Sequence, residues 1–535
     1  MSPKPGGRSW RPGFRGFSPT GSSVAPDCRA WLRAPGATAA LVALGGAALA
    51  LAFPRFDLHG LAWVALVPLL LSALALPPRQ AFGVGWLGGT VFFLVLLHWL
   101  DHTFRLYSAI PWPVTWLPIA ALAGYCGLYF GAVALGLGWL ARRRGPSHAL
   151  LAAAPLWIAG EWLRGWLMGG FPWGLIGYSQ YSVLPVIQVA ELAGVYGVSF
   201  VVVAVNAGMA GLLVLTRGRA AAGAAAAATL LAATLAFGWV RLGEPAGPPE
   251  VAVALVQPSI EQALKWDAAH EVETVATYLE LTRRAARDRP GLIVWPETAA
   301  PTPLRRDPGL QRALGQISVE SGAPILAGSI DVAAGPPLRY SNTAFLLSGP
   351  RIIGRYDKMH LVPFGEYVPL SSLIGFVRSW AEFIADLEPG SGPVVFPGPP
   401  APFGVVICYE GIFPELVRAF VRGGARFMVN MTNDAWFGKT SGPLQHLAMY
   451  PLRAVEDRVA IARAANTGVS AFVAPSGRIV RVAPLFERGV LADRIALRTR
   501  TTLYTRLGDW WVWVCAAAAG ALFVVALARP DRHAE

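Results

Sequence analysis

Long apolar stretches, each near the length of a bilayer crossing, fill the first half of the chain, and one more closes it. A spanning helix needs about 20 such residues. The runs cover 37–53, 59–76, 81–100, 114–141, 148–167, 190–215, 220–240 and 509–528. They predict a bundle of eight membrane helices. Between the seventh and eighth runs the pattern changes. VAVALVQ (251–257), LIVWPE (292–297), PILAG (324–328), TAFLLS (343–348), GVVICYE (404–410) and RFMVNMTND (426–434) are short, β-branched apolar segments. Polar stretches of helical character, 268–288 and 305–321, lie among them. Such alternation predicts an α/β domain.

Charge sets the orientation. With the N-terminus inside, the inner loops carry Arg79, then Arg142, Arg143 and Arg144, then Arg217 and Arg219, and the C-terminus carries Arg529 and Arg532. The short outer loops hold little beyond Arg55 and Arg105. Basic residues favour the cytoplasmic side, so both termini are expected there. The expected organisation is 1–35, a disordered basic tail; 36–241, membrane helices one to seven; 250–495, an extracytoplasmic catalytic domain; 508–529, the eighth helix; and 530–535, a cytoplasmic tail. The tail does not read as a cleavable signal, because no small-residue cleavage site follows the first apolar run.

Composition agrees. The chain is 54% hydrophobic and 14% charged, against roughly 25% charge in soluble domains. The net charge of +13 falls in short loops beside apolar runs, where it sets topology. Without a basic recognition helix or zinc-finger spacing, it does not point to nucleic acid. Glu161 and Arg164, three residues apart in the fifth run, are expected to pair or to sit at the outer interface.

Of four cysteines, Cys28 lies in the tail and Cys126 and Cys515 in apolar runs, so Cys408 is the one thiol of the α/β part. It ends one apolar strand, as Glu297 ends another, and Lys358 sits in a third such setting. Side chains just past buried strands are aimed into clefts by a rigid scaffold. Chemically the trio is complementary. A thiolate is a strong nucleophile, a carboxylate can take the thiol proton, and an ammonium favours thiolate and oxyanion alike. Together they suit covalent acyl transfer at a carbonyl carbon, with a Cys408 pKa expected below the free-thiol value of ~8.5. Taken singly, each has an ordinary reading: a buried small hydrophobe, a turn carboxylate, a surface lysine. His446 has no spaced partners of metal-ligand type, and no metal or other cofactor is expected. Asn430, Asn433 and Asp434 read as a loop past a central strand.

Three segments, WPET (295–298), YDKMHLVPFGEYVP (356–369) and CYEGIFPE (408–415), resemble the carbon–nitrogen hydrolase (nitrilase) superfamily. With GFPWGLIGYSQ (170–180), GVYGVSF (194–200), VQPSIEQALKWD (256–267) and NDAWFG (433–438), the chain from about 37 to 528 resembles the apolipoprotein N-acyltransferase family of the bacterial inner membrane. The resemblance implies an αββα sandwich on the periplasmic side. It implies Glu297 as base, Lys358 as oxyanion-side cation and Cys408 as nucleophile, with Glu366, Tyr409 and Glu410 in support. Trp266 matches a tryptophan near the lipid entrance, although an interfacial aromatic would look the same. The implied reaction moves an acyl chain from a phospholipid, through a thioester on Cys408, to the amine of a diacylglyceryl-cysteine apolipoprotein. The enzyme is expected to act as a monomer in the membrane. A membrane-tethered hydrolase with the same triad is the principal alternative. A transporter and a catalytically dead binding domain fit less well.

Overall fold

The computed structural model describes residues 35–244, 247, 249–265, 267–333, 335–336, 338–368, 386–398 and 400–528. Residues 1–34, Trp266, 369–385 and 529–535 lie outside the described residues.

Among the described residues, five helices are long and apolar enough to cross a membrane: Pro78–Leu96, Trp116–Arg144, Ala190–Val214, Arg217–Gly243 and Trp510–Leu527. This is fewer than the eight apolar runs, and each of the other three differs for a physical reason. The first apolar helix, Pro35–Leu51, has only 17 residues. The second run is broken into a 3-10 turn, His59–Trp63, and a short helix, Val67–Ala75. The fifth, Pro146–Trp166, has length enough but carries buried Glu161 and Arg164. These two do not turn to each other. Glu161 Oε1 accepts from the Ile176 amide at 2.7 Å, and Arg164 Nη1 donates to the carbonyls of Phe171 and Trp173 at 2.6 Å. Both charges tie the 171–176 loop to the helix. Close helix packing runs through small residues, as expected where lipid removes the hydrophobic drive. A Cβ on Gly127 would meet Trp86 and Thr90, and one on Gly85 would meet Phe130 and Ala134.

Between the helices Arg217–Gly243 and Trp510–Leu527 lie twelve strands: β1 (Pro249–Gln257), β2 (Leu292–Val294), β3 (Ile325–Ala333), β4 (Arg339–Ser348), β5 (Arg351–Asp357), β6 (Val395–Phe396), β7 (Phe403–Ile407), β8 (Phe427–Thr432), β9 (Ile461–Ala465), β10 (Ala471–Val473), β11 (Ile479–Val482) and β12 (Gly489–Ala496). They form two six-stranded sheets, ordered β12-β1-β2-β3-β4-β5 and β11-β10-β9-β8-β7-β6. In each, three central strands run parallel, β1, β2 and β3 in one and β7, β8 and β9 in the other. Buried parallel strands are apolar on both faces, hence the unbroken runs LIV and FGVVI. The sheets share one core, where Leu255, Val294 and Leu326 meet Val405, Ile407 and Met431. Helices Glu271–Ala286 and Pro308–Ser321 cover the outer face of the first sheet through Tyr278, Leu281 and Leu314. Helix Pro414–Arg422 covers the second through Val417 and Phe420. The result is the αββα layering implied by the resemblance.

Candidate active site

Each of the three predicted residues follows a strand. Cys408 comes directly after β7, Lys358 directly after β5, and Glu297 three residues after β2. The backbone turns sharply at two of them: Cys408 has φ 53° and Thr298, beside Glu297, has φ 44°. Left-handed conformations in non-glycine residues persist only where surroundings over-determine them. At Cys408 the surroundings are explicit. Its carbonyl is approached by the Tyr450 hydroxyl at 3.4 Å and the Asn430 amide at 3.5 Å.

Lys358 is buried between two carboxylates. Its Nζ lies 3.3 Å from Glu297 Oε1 and 2.9 Å from the Glu366 carboxylate. Asn342 Nδ2 bridges the same two acids, at 2.8 Å to Glu297 and 3.1 Å to Glu366. The second oxygen of Glu297 accepts from the Asn433 amide at 2.9 Å, and that of Glu366 from the Val362 amide at 2.9 Å. Burial alone would discharge Lys358, but Glu366 and Glu297 outweigh it and hold its pKa well above the ordinary lysine value. Lys358 is therefore a permanent cation.

The thiol behaves otherwise than expected. Burial pushes the Cys408 pKa up, the Glu297 carboxylate pushes it further, and Lys358 offsets only part. This overturns the expectation of a lowered value. These surroundings favour the neutral thiol, so a nucleophilic role for Cys408 would call for a base.

Glu410 is a strut. Fully buried, it accepts from the Tyr356 hydroxyl at 2.8 Å, the amides of Met359 and His360 at 2.6 and 3.1 Å, and the Ile407 amide at 2.7 Å. One side chain thus ties the lysine loop to the strand that leads into Cys408. Burial raises its pKa to about 7. Tyr409 points the other way, its hydroxyl donating to the Gly170 carbonyl at 3.3 Å. With His360 and Phe413 it forms an aromatic cluster, ring centroids 3.9 to 5.9 Å apart, against the loop that ends the helix Pro146–Trp166. Tyr409 thus lies against the apolar bundle, where Trp166 and Met168 of the same loop region stand exposed.

Sequence reasoning missed several residues. Lys265, only 2% exposed, donates to the Glu297 carbonyl at 3.2 Å and to Thr298 Oγ1 at 2.6 Å, and burial lowers its pKa to about 8. Fully buried Arg463 grips Asp434 and Asn430 from within β9. Burial opposes the Asp434 carboxylate, yet Arg463 and His446 hold its pKa at about 2. The usable signal was an arginine inside the apolar strand IARAA, since unpaired arginine is almost never buried. His446 serves a hydrogen-bond network, with Nδ1 3.0 Å from Asp434 and Nε2 3.2 Å from the Tyr450 hydroxyl.

Residues 45–208 match the apolipoprotein N-acyltransferase N-terminal domain, and residues 252–504 match the carbon–nitrogen hydrolase domain. The apolipoprotein N-acyltransferase of Geobacter metallireducens is 40% identical over 514 residues, covering 92% of this chain and 96% of that protein. The chain belongs to the apolipoprotein N-acyltransferase family. The Sinorhizobium medicae member is 35% identical over 500 residues, 88% of this chain and 92% of its own length. Among solved structures, an amidase from Nesterenkonia sp. is 19% identical with a TM-score of 0.37, covering 51% of this chain and 97% of that one. Membership matches the resemblance carried by WPET, YDKMHLVPFGEYVP and CYEGIFPE.

Proposed function

We propose that this enzyme N-acylates lipoproteins in the membrane: Cys408 takes an acyl chain from a phospholipid and passes it to the α-amine of a diacylglyceryl-cysteine. The carrying observation is the buried Glu297–Lys358–Glu366 arrangement, whose charges act on the Cys408 thiol, next to Tyr409, which bonds the loop after a helix of the membrane part.

In the first half-reaction Glu297 takes the thiol proton as Sγ attacks the donor ester carbonyl. The tetrahedral oxyanion is stabilised by the Lys358 ammonium. Collapse breaks the C–O bond, and the leaving alkoxide takes the proton from Glu297 and departs as lysophospholipid. In the second, the acceptor amine attacks the thioester carbonyl and yields its proton to Glu297. The C–S bond breaks, an amide forms, and Cys408 regains its proton. Glu366 and Asn342 keep Lys358 and Glu297 in register, and Glu410 and Tyr409 hold the flanking loops. Trp266 is proposed to line the lipid entrance on the strength of its sequence match alone.

The membrane part favours transfer over hydrolysis. Each buried CH₂ contributes about 0.8 kcal/mol, so two acyl-bearing substrates are strongly oriented by an apolar mouth, while a dry site protects the thioester. We further propose eight crossings, with the catalytic domain periplasmic and both termini cytoplasmic, from the arginine asymmetry of the loops. The functional test is turnover of phospholipid with a diacylated lipopeptide. Amide product with a free amine, and none with a blocked amine, supports transfer. Steady fatty-acid release without acceptor supports the hydrolase.

A further inference from the structure

The side chain of Gln445, buried at 4% exposure, has every hydrogen-bonding position filled from the membrane part. Its Oε1 accepts from Trp99 Nε1 at 3.1 Å and Trp173 Nε1 at 2.9 Å. Its Nε2 donates to the carbonyls of Pro54 and Leu96, both at 3.0 Å. An amide offers two donors and two lone pairs, so none is left over. Since indoles only donate and carbonyls only accept, the orientation of the amide is determined. The four partners come from three places: the loop after Pro35–Leu51, the end of Pro78–Leu96 with the turn beyond it, and the loop after Pro146–Trp166. Gln445 itself lies on the short helix Gly442–Leu447 of the catalytic domain.

The next residue links one of these partners to the catalytic domain. His446 packs its ring 5.9 Å from that of Trp173, bonds Asp434, and meets the Tyr450 hydroxyl, which reaches the Cys408 carbonyl. Arg463 closes the chain behind Asp434. Two sets of buried polar contacts, joined by the chain at Gln445–His446 and by the Trp173–His446 ring contact, thus run from three membrane segments to the strained backbone of Cys408. Burial lowers the His446 pKa, with Arg463 acting in the same direction and Asp434 against it.

We propose that Gln445 is a positioning residue, pinning the catalytic domain on the bundle so that, through His446 and Tyr450, Cys408 sits at the place where a bilayer lipid presents its ester. The proposal rests on Cys408 being the nucleophile. It makes Gln445 matter for lipid substrates and not for the intrinsic reactivity of the thiol.

The test uses the full-length enzyme in detergent micelles and two readouts. One is alkylation of Cys408 by iodoacetamide, followed by peptide mass spectrometry. The other is formation of acyl-Cys408 from saturating phospholipid. Gln445→Leu is expected to slow acylation roughly 10–100-fold, the scale of an ångström-level misplacement, while alkylation keeps its wild-type rate. Trp99→Phe removes one donor only and is expected to do the same more weakly, which covers failure of Gln445→Leu to fold. Unchanged acylation in both variants, or acylation and alkylation falling in equal proportion, would overturn the proposal. Acyl transfer surviving in Cys408→Ala would instead overturn the functional reading beneath it.

Discussion

At the scale of single residues the account divides labour between a permanent cation, a neutral thiol and a base. Cys408→Ala is expected to abolish turnover. Glu297→Gln and Lys358→Ala should each lower kcat at least ~10²-fold, the usual cost of one acid–base or oxyanion group. Steady-state transfer to a lipopeptide measures this, with thermal melting as the control for folding. Near-normal activity in any of the three would remove that residue from the mechanism. The sign of the thiol shift yields a second expectation. Because burial and Glu297 raise the Cys408 pKa, its alkylation rate should keep climbing with pH through the neutral and mildly alkaline range. A plateau already reached near neutrality would mean a stable thiolate and contradict the burial argument.

Between elements, the site depends on close approaches that a sequence does not display. Gly328 in β3 lies under the turn after β2, and a Cβ there would run into the Pro296 carbonyl and the Thr298 amide. Gly328→Ala is therefore expected to push the Glu297 turn outward. It should cost roughly 1–3 kcal/mol of stability and lower kcat more than it raises KM, as calorimetry and kinetics on one preparation can establish. Glu410→Gln should act similarly, because an amide cannot accept all four bonds that Glu410 now receives. Glu297, Lys358 and Cys408 were legible as candidates because each falls within a recognisable motif, and Glu297 and Cys408 follow short apolar strands. The strands β1, β2, β3, β4, β7 and β8 were legible through their β-branched runs. The strand β9 was not, since IARAA carries an arginine whose partners Asp434 and Asn430 lie about thirty residues upstream. Hydropathy found the apolar runs but not their breaks. In 59–76 the local signal is Pro68, at the start of the helix Val67–Ala75, and the turn before it is held by Asn206 and Gln180. The lowered thiol pKa was a misreading of balance: the sequence places a cation near Cys408 but is silent on how deeply both are buried.

For the whole molecule, the two parts are joined by buried polar contacts as well as by chain. Glu456 Oε1 accepts from the Val195 amide at 2.8 Å, Arg458 pairs with Glu191, and Gln188 donates to the Ser476 carbonyl at 3.0 Å. The proposed orientation predicts that a reporter active only in the periplasm works when fused near residue 300 and stays silent when fused at residue 143. The reverse pattern would invert the topology. The central claim is that the acyl group rests on Cys408 between two lipid-borne substrates, which requires ping-pong kinetics. Its most direct measurement is mass spectrometry of the intact enzyme incubated with phospholipid alone, then with a diacylated lipopeptide. The account predicts one added acyl mass on Cys408 that persists without acceptor and disappears when a free-amine lipopeptide is added, but not an N-blocked one. Product formed with no acyl-enzyme at any time, or an acyl-enzyme lost to water as fast as to the amine, would contradict it.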